Sequence, residues 1–359
     1  MLFESYNLGG LPLANRLVMA PMTRNRASAD NVPTPIMAEY YAQRADVGLI
    51  ITEGTSPSAD GVGYPRIPGL YNQAQMDGWR QVTTAVHAKG ARIFLQLMHT
   101  GRASASANLP HGARVVGPMA EAMPDSVYTD AEGMQPASVP HALTESEIAT
   151  VVAEYVRSAE LAIEAGFDGV ELHAANGYLI EQFLNANVNT RTDGYGGSAA
   201  ARNRFAIEVA QATAKAIGAH RVGIRLSPFG VFNNTGAFDG MEAQYLELAR
   251  ELSTVELAYL HLVNHESMGA PEVPSSFIAK LRTAFGGTFI ASGGLDRDQA
   301  TALLKTKAAD LVAFGRPVLA NPHFATRLER DLPLNAPDFS TFYTPGEKGY
   351  TDYPELAVA

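Results

Sequence analysis

The stretch Gly169-Val-Glu-Leu-His-Ala-Ala-Asn-Gly-Tyr-Leu179 begins as a short apolar strand and ends in three polar side chains, His173, Asn176 and Tyr178. A buried polar group without a partner costs about 1–3 kcal/mol, so three of them at one strand exit indicate a ligand site. Imidazole and carboxamide groups can bind an oxygen atom, and a phenol can deliver a proton beside it. Taken singly, the same residues are also typical of a core histidine, a helix cap and a packed tyrosine.

Seven further β-rich runs alternate with helical stretches on either side of this strand. The eight candidate strands are Leu17–Ala20, Gly48–Thr52, Arg92–Leu97, Gly169–His173, Val222–Leu226, Tyr259–Val263, Thr288–Ser292 and Leu311–Phe314. Their apolar character without alternation is typical of strands that are covered on both faces. Eight such strands, each followed by a helical or loop segment, predict an α/β fold, a parallel (β/α)8 TIM barrel formed by residues 1–359 as one domain.

The segments around the fourth strand fit this pattern. Thr144 and Glu147 form a capping box at the start of a helix, and Gly166 stands where that helix should end. The stretch from Ala103 to Ala142 is long, irregular and rich in Pro, Gly, Ala and Ser, which predicts a lid that follows the third strand. The tail, residues 331–359, is expected to close the barrel instead of forming a second domain.

Composition narrows the class of protein. The chain has 359 residues, no cysteine and a formal net charge of −10. It can therefore hold no disulfide or thiolate site, and its acidity disfavours nucleic acid as a partner. The apolar runs are too short for a membrane span, and the N-terminus lacks the pattern of a signal peptide. These features predict a cytoplasmic enzyme that binds neither membrane nor nucleic acid.

Polar and glycine residues gather at the predicted strand ends, where a (β/α)8 barrel carries its catalytic groups. The residues expected at this rim are Pro21, Thr23, Gly54, Gln96, His173, Asn176, Tyr178, Arg225, Ser227, Gly293, Gly294, Gly315 and Arg316. The glycines after the seventh and eighth strands, with Arg316, predict a phosphate site, although a tight turn explains either pair alone. Arg225 is expected either to bind an anion or to satisfy a nearby carboxylate such as Glu171.

Three other site types are disfavoured. No GxGxxG motif opens a βαβ unit, which argues against a separate dinucleotide domain. No lysine falls on a predicted strand, so a Schiff-base aldolase has no nucleophile. His265 and Glu266 are two candidate ligands at the rim, too few to define a metal site. We therefore expect no metal.

Seven motifs resemble Old Yellow Enzyme, the FMN-dependent ene-reductases, and in particular its bacterial branch with glycerol trinitrate, pentaerythritol tetranitrate and N-ethylmaleimide reductases. The resemblance covers essentially the whole chain. The motifs are Asn15 to Arg24, Gly48 to Thr55, Gln96 to Arg102, Glu171 to Tyr178, Asn189 to Gly197, Val312 to Arg316 and Gly349 to Pro354.

This resemblance implies that FMN is the bound cofactor. The residues implied to hold the phosphate are Gly293, Gly294, Gly315 and Arg316, and those implied to surround the ring are Pro21, Thr23, Gly54, Gln96 and Arg225. Thr23 would hydrogen-bond the flavin O4, Gln96 would face the pyrimidine edge, and Arg225 would stabilise negative charge at the N1–O2 side.

The resemblance also implies the reaction. NADPH or NADH would supply hydride, and electron-poor alkenes such as enones, maleimides and nitroalkenes would accept it, with nitrate esters or nitro compounds as a further substrate class. His173 and Asn176 would hold the substrate oxygen, hydride would reach the β-carbon, and Tyr178 would protonate the α-carbon from the opposite face. Met98 occupies a position where relatives commonly carry tryptophan, so it is expected to line the substrate pocket.

Some questions stay open at the level of sequence. The oligomeric state is expected to be monomer or homodimer. The alternative function is a phosphate-binding TIM-barrel lyase or isomerase without flavin, and a non-enzymatic ligand-binding barrel is a third hypothesis. A flavin spectrum separates the first hypothesis from the other two.

Overall fold

Eight parallel strands close into a barrel in the computed structural model, which describes residues 1–356. In chain order the barrel strands are β1 Leu17–Met19, β2 Leu49–Ile51, β3 Arg92–Leu97, β4 Gly169–Ala174, β5 Val222–Leu226, β6 Tyr259–Val263, β7 Phe289–Ser292 and β8 Leu311–Phe314. Each strand pairs with its neighbour in sequence, and β8 pairs with β1 to close the ring. The predicted (β/α)8 fold is confirmed, and the predicted strand ends differ from the observed ones by no more than one residue.

Helices connect successive strands around the outside of the barrel. They are α1 Pro35–Ala42, α2 Gln73–His87, α3 Glu145–Glu164, α4 Leu179–Leu184, α5 Ala199–Ile217, α6 Met241–Thr254, α7 Ser275–Phe285, α8 Arg297–Lys305, α9 Arg316–Leu319 and α10 Phe324–Glu329. The capping box of Thr144 and Glu147 starts α3 as predicted, and Gly166 follows its end with a φ of +95°. These helices bury their apolar faces against the outward side chains of the strands.

The N-terminal end of the barrel is closed by apolar side chains. A hairpin of Tyr6–Leu8 and Leu11–Leu13 lies there, and its Leu8 and Leu13 join the interior cluster. Within that cluster the ring of Phe94 lies so near Gly169 that an added Cβ would come within 2.5 Å of it. The glycine that opens the fourth strand is thus required by packing inside the barrel.

The segment after β3 has more structure than its composition suggests. Ser126–Thr129 and Gly133–Pro136 form an antiparallel hairpin, and Val116–Gly117 pairs with His141–Ala142. The expectation of a fully irregular stretch was therefore wrong, because short strands of mixed polarity leave no periodic pattern.

The C-terminal tail is fixed to the loop after β1 by buried arginines. Arg24 donates to the carbonyls of Phe342 at 3.0 Å and Gly349 at 2.7 Å. Arg26 donates to the carbonyls of Thr341, Phe342 and Lys348 at 2.8–3.0 Å. The tail therefore packs against the barrel, beside the loop that carries Pro21 and Thr23.

Candidate active site

The sequence-predicted site residues lie in the last residues of strands, or just after them, in one closed parallel sheet, so the topology brings them to one rim. The inward side chains of the strands alternate, and Glu171 and His173 of β4 both point into the barrel. Register pairing puts Glu171 beside Gln96 of β3 and His173 beside Arg225 of β5. The rim thus has two layers. The lower one contains Glu171 and Gln96, and the upper, ligand-facing one contains His173 and Arg225.

His173 is buried, and one of its ring nitrogens is already occupied. Its Nδ1 accepts the backbone N–H of Ala175 at 3.3 Å, so the neutral ring carries its proton on Nε2. Burial and the positive charge of Arg225 hold the pKa of His173 well below its ordinary value. A neutral imidazole with a free N–H donor suits a ligand oxygen.

Asn176 and Tyr178 complete the upper layer. Asn176 has a φ of +60°, and its buried Oδ1 has no partner in residues 1–356. The Tyr178 ring meets the His173 ring edge-on, with centroids 4.9 Å apart. Burial and the neighbouring Tyr64 phenol raise the pKa of Tyr178 well above its ordinary value, so it keeps its proton at neutral pH.

A chain of buried hydrogen bonds forms the layer below, which we call the pocket floor: Gln96, Glu171, His261 and Ser292. The Gln96 amide donates to Glu171 Oε1 at 2.8 Å, and His261 Nδ1 contacts Glu171 Oε2 at 2.8 Å. His261 Nε2 then contacts Ser292 Oγ at 3.0 Å. Three strands besides β4 therefore contribute to one polar layer across the barrel.

Arg225 makes no hydrogen bond to this carboxylate. The two carboxylate oxygens of Glu171 instead contact Gln96 and His261. The buried Nε of Arg225 has no partner in the described residues. Glu171 therefore acts on Arg225 through its charge and not through a hydrogen bond. A buried guanidinium N–H without a partner is costly, which points to an electron-rich ligand at this position.

The loop after β7 requires glycine. Gly293 has a φ of +136°, and a Cβ there would lie 2.1 Å from the carbonyl oxygen of Asn264. Gly294 follows with a φ of +68°. After the neighbouring strand β8, Gly315 precedes the exposed Arg316, whose guanidinium lies 5.2 Å from the Phe339 ring centroid. Backbone without side chains and a free cation are the groups that a phosphate needs.

The other predicted site residues lie on the β1 to β3 side. Pro21 and Thr23 are partly exposed after β1. Met98 is buried after β3, and a Cβ added to Gly54 would come within 2.4 Å of its sulfur. Met98 also joins a small apolar cluster that includes the partly buried Tyr178. Its place beside the proton-bearing phenol supports the pocket-lining role expected from the sequence.

Two residues near the upper layer were missed at the sequence level. The Tyr64 ring lies edge-on to Tyr178, with centroids 6.1 Å apart. Glu181, in α4, is buried and accepts the Gly177 N–H at 2.5 Å. The available signals were weak: one tyrosine between glycine and proline in a loop, and one acid beside a glutamine in a hexapeptide whose other four residues are apolar.

Two negative findings hold for residues 1–356. No group of three or more His, Cys, Asp or Glu side chains is arranged to hold a metal ion. No helix in the same range is both long and apolar enough to cross a membrane.

The donors left free at the rim fit FMN. The unpartnered guanidinium of Arg225 and the orientation of Gln96, with its amide tied to Glu171, suit the polar edge of a flavin ring. The bare backbone at Gly293 and Gly294 and the cation of Arg316 suit a phosphate. The Nε2 donor of His173 and the side-chain amide of Asn176, whose buried Oδ1 has no partner in the described residues, remain for a second molecule above the ring.

Known proteins with this architecture extend the picture. Residues 1–335 match the NADH:flavin oxidoreductase / NADH oxidase family. The chain is 41% identical over 351 residues to a probable flavin mononucleotide-dependent alkene reductase of Leishmania infantum, covering 97% of this chain and 95% of that protein.

Solved structures agree with this match. Morphinone reductase in complex with tetrahydroNAD has a TM-score of 0.94 and 44% identity, covering 99% of this chain and 98% of that one. An old yellow enzyme homologue from Zymomonas mobilis has a TM-score of 0.94 and 38% identity, covering 99% of each chain.

Proposed function

The chain belongs to the NADH:flavin oxidoreductase / NADH oxidase family, and we propose on that premise how its residues divide the work of an FMN-dependent ene-reductase. The enzyme uses NAD(P)H and reduces electron-poor alkenes. The observation that supports this division of labour is that Arg225, whose buried Nε has no partner in the described residues, lies beside His173, whose Nε2 is left as a donor. A lyase or isomerase without flavin is not favoured by the family match.

Residues at and below the level of His173 would hold the cofactor. FMN, when bound, supplies the ring that accepts hydride from NAD(P)H and passes it to the alkene. Gln96 and Arg225 would bind the polar edge of the ring, and Thr23 would hydrogen-bond it. Gly293, Gly294, Gly315 and Arg316 would hold the phosphate, while Pro21 and Gly54 would pack beside the ring. The pairing of Gln96 with Glu171 supports this role because it fixes which side of the carboxamide faces the ligand.

The upper layer holds the substrate oxygen. His173 donates from Nε2, because its Nδ1 is occupied by the Ala175 N–H. Asn176 donates from its side-chain amide. Two donors aimed at a carbonyl or nitro oxygen stabilise the negative charge that develops there when hydride reaches the β-carbon. Carbonyl and nitro groups conjugated to a C=C bond therefore define the substrate class: enones, maleimides and nitroalkenes.

Tyr178 delivers the proton. Its raised pKa keeps the phenol protonated at neutral pH, which a general acid requires. The phenol stands beside the His173 ring, within the same upper layer, so it is placed to protonate the α-carbon of the alkene whose carbonyl or nitro oxygen His173 holds. Met98 packs beside this phenol and shapes the wall of the pocket.

Assembly and setting are further parts of the proposal. Residues 1–359 act as one flavin-binding domain, with residues 103–142 as a lid, and the protein works as a monomer or homodimer in the cytoplasm, where NAD(P)H is supplied. In support of a lid beside the pocket, Arg66 pairs with Asp130 of the hairpin and donates to the Tyr343 carbonyl at 3.2 Å. Sedimentation of the purified protein tests the oligomeric state.

Anaerobic spectroscopy tests the function as a whole. The purified protein, supplied with FMN, should show a bound-flavin spectrum that bleaches with NADPH or NADH and returns on addition of 2-cyclohexenone. Loss of the alkene bond, followed by chromatography, should match the flavin reoxidised. A protein that binds no FMN, or whose bleached spectrum is unaffected by enones, maleimides and nitroalkenes alike, contradicts the proposal.

A further inference from the structure

The backbone of the upper layer is held by side chains that take no part in the proposed chemistry. The Asn176 N–H donates to Ser227 Oγ at 2.8 Å, and the Gly177 N–H donates to Glu181 Oε2 at 2.5 Å. The Ser227 hydroxyl in turn donates to the Glu181 carboxylate at 3.0 Å. The backbone donors of Asn176 and Gly177 therefore both end, directly or through one hydroxyl, on Glu181.

The backbone acceptors of the same two residues are also bound. Asn233 donates to the Asn176 carbonyl at 2.7 Å, and Gln182 donates to the Gly177 carbonyl at 2.8 Å. Asn176 and Gly177 both have positive φ, at +60° and +72°. A conformation of this kind persists only where the surroundings impose it, and here four side chains do so.

We propose that Glu181 is a positioning residue, whose ionised carboxylate holds Asn176 and Tyr178 in their substrate-binding orientation through Gly177 and Ser227. This inference rests on the proposed function, because it takes Asn176 and Tyr178 to meet the substrate. Glu181 acts through the backbone of these residues and touches neither substrate nor cofactor.

The ionised form is required because every contact of Glu181 is with a donor. Gly177 offers an N–H, and Ser227 and Tyr245 offer hydroxyls, the latter at 3.3 Å. A carboxylate accepts all three, whereas a protonated carboxyl brings a donor of its own, so Ser227 or Tyr245 must turn its hydroxyl and accept, which rearranges the contacts that hold the loop.

Burial places the ionisation of Glu181 in the neutral range. It raises the pKa of Glu181 to about 7, against the lowering effect of the Gly177, Ser227 and Tyr245 hydrogen bonds. Tyr245 of α6 is the titratable group that faces the carboxylate, and burial together with Glu181 raises its own pKa well above the ordinary value. No charged side chain of residues 1–356 contributes to the pKa of Glu181.

The direction of the pH effect follows. Above pH 7 the Glu181 carboxylate is ionised and accepts the hydrogen bonds that fix the loop. As the pH falls through 7 the carboxylate binds a proton, and these hydrogen bonds weaken. His173 and Tyr178 do not titrate in this range, because their pKa values lie well below and well above it. Binding of a ligand that does not itself ionise should therefore weaken towards pH 6.

The test measures the Kd of 2-cyclohexenone for the FMN-loaded, oxidised enzyme between pH 6 and 8.5, by the change in flavin absorbance. The wild type should bind about tenfold more weakly at pH 6 than at pH 8, the equivalent of one lost hydrogen bond. Glu181→Gln should bind weakly at every pH, with a flat profile. Its FMN affinity and its rate of reduction by NADPH should match the wild type.

A matched control separates Glu181 from the other buried acid that titrates near neutrality. Burial raises the pKa of Glu53 to about 7 as well, but Glu53 pairs with Tyr41 on the β2 side of the barrel. Glu53→Gln should keep the pH dependence, and Ser227→Ala, which cuts one of the two paths to Glu181, should reduce it.

Three results would overturn the inference: a flat wild-type profile, a pH dependence retained in Glu181→Gln, or one lost in Glu53→Gln. The first of these results needs no variant. The wild-type profile alone can therefore contradict the inference, even if the Glu181→Gln protein does not fold. Failure of the wild type to bind FMN would instead overturn the proposed function.

Discussion

Two buried carboxylates, Glu171 and Glu181, organise neighbouring parts of the rim with different kinds of partner. Glu171 lies in the pocket floor and accepts from the side chains of Gln96 and His261, on two other strands. Glu181 lies behind the upper layer and accepts from the backbone of Gly177 and the hydroxyl of Ser227. The floor thus ties strands to each other, whereas the upper layer is a loop tied to a scaffold.

This difference suggests that the strands which hold the cofactor and the loop which binds the substrate can be altered separately in one barrel. Disturbing the floor removes bonds between strands, so the fold and the cofactor site change together. Disturbing the upper layer changes a few residues at positive φ and leaves the strands paired. Variants at the two layers should therefore separate into cofactor and stability effects on one side and substrate effects on the other.

Tyr178→Phe should produce the largest effect on turnover. Without the phenol proton, reaction of the reduced enzyme with 2-cyclohexenone should slow by roughly 10²–10⁴-fold, the range expected for a lost general acid. Flavin reduction by NADPH should stay within about twofold of wild type, since that step needs no proton from the upper layer. Stopped-flow absorbance measures both steps. Equal slowing of the two would contradict the proposal that Tyr178 acts only in the reaction with the alkene.

Glu171→Gln should produce the largest effect on stability. The amide offers one acceptor in place of two, so either a contact with Gln96 or His261 is lost or His261 must change tautomer to accept from the new NH2 group. Unfolding in urea should show a loss of about 2–4 kcal/mol, with weaker FMN binding.

A control for this variant is Glu164→Gln, because the Glu164 side chain is 56% exposed at the end of α3 and lies outside both layers. It should change neither measurement. If Glu171→Gln were as stable as this control, the floor would not tie the strands together.

His173→Ala should weaken substrate binding by about tenfold, through loss of one hydrogen-bond donor to the oxygen. FMN affinity should hold, because the floor is intact. Titration of the oxidised enzyme with 2-cyclohexenone gives the first quantity and fluorescence titration of the apoprotein with FMN gives the second. Joint loss of both affinities would mean that the two layers are not separable.

Met98→Leu should have the smallest effect. The volume is conserved, so stability should fall by less than about 1.5 kcal/mol. A stiffer branched side chain next to Tyr178 should still alter the enantiomer ratio for bulky prochiral alkenes, as measured by chiral chromatography. An unchanged ratio across a broad panel would place Met98 outside the wall of the pocket.

Sequence predicted the barrel and much of the rim for a definite physical reason. Strands that are buried on both faces appear in the sequence as continuous apolar runs. The capping box at Thr144 and Glu147 is a hydrogen-bond pattern between residues three apart. Both signals can therefore be recognised from neighbouring residues in the sequence. The polar cluster from His173 to Tyr178 was visible because it interrupts such a run. The shared rim then followed from parallel topology alone.

What sequence could not predict depends on partners that are distant in the chain. Whether Arg225 pairs with Glu171 was open, and the answer depends on His261, 90 residues away from Glu171. Glu181 looks like an ordinary helix surface acid until its position behind the loop is known. The hairpin from Ser126 to Pro136 has short strands of mixed polarity, which give no periodic signal.

The buried arginines of the loop after β1 have a consequence for biosynthesis. Arg24 and Arg26 follow the first barrel strand, yet their acceptors are carbonyls of residues 341–349, some 320 positions later. During translation these guanidinium groups emerge early and stay hydrated, since burying them alone would be unfavourable. The side of the mouth that carries Thr23 is therefore finished only when the last segment leaves the ribosome, and a nascent chain that stops short should be unable to retain its prosthetic group.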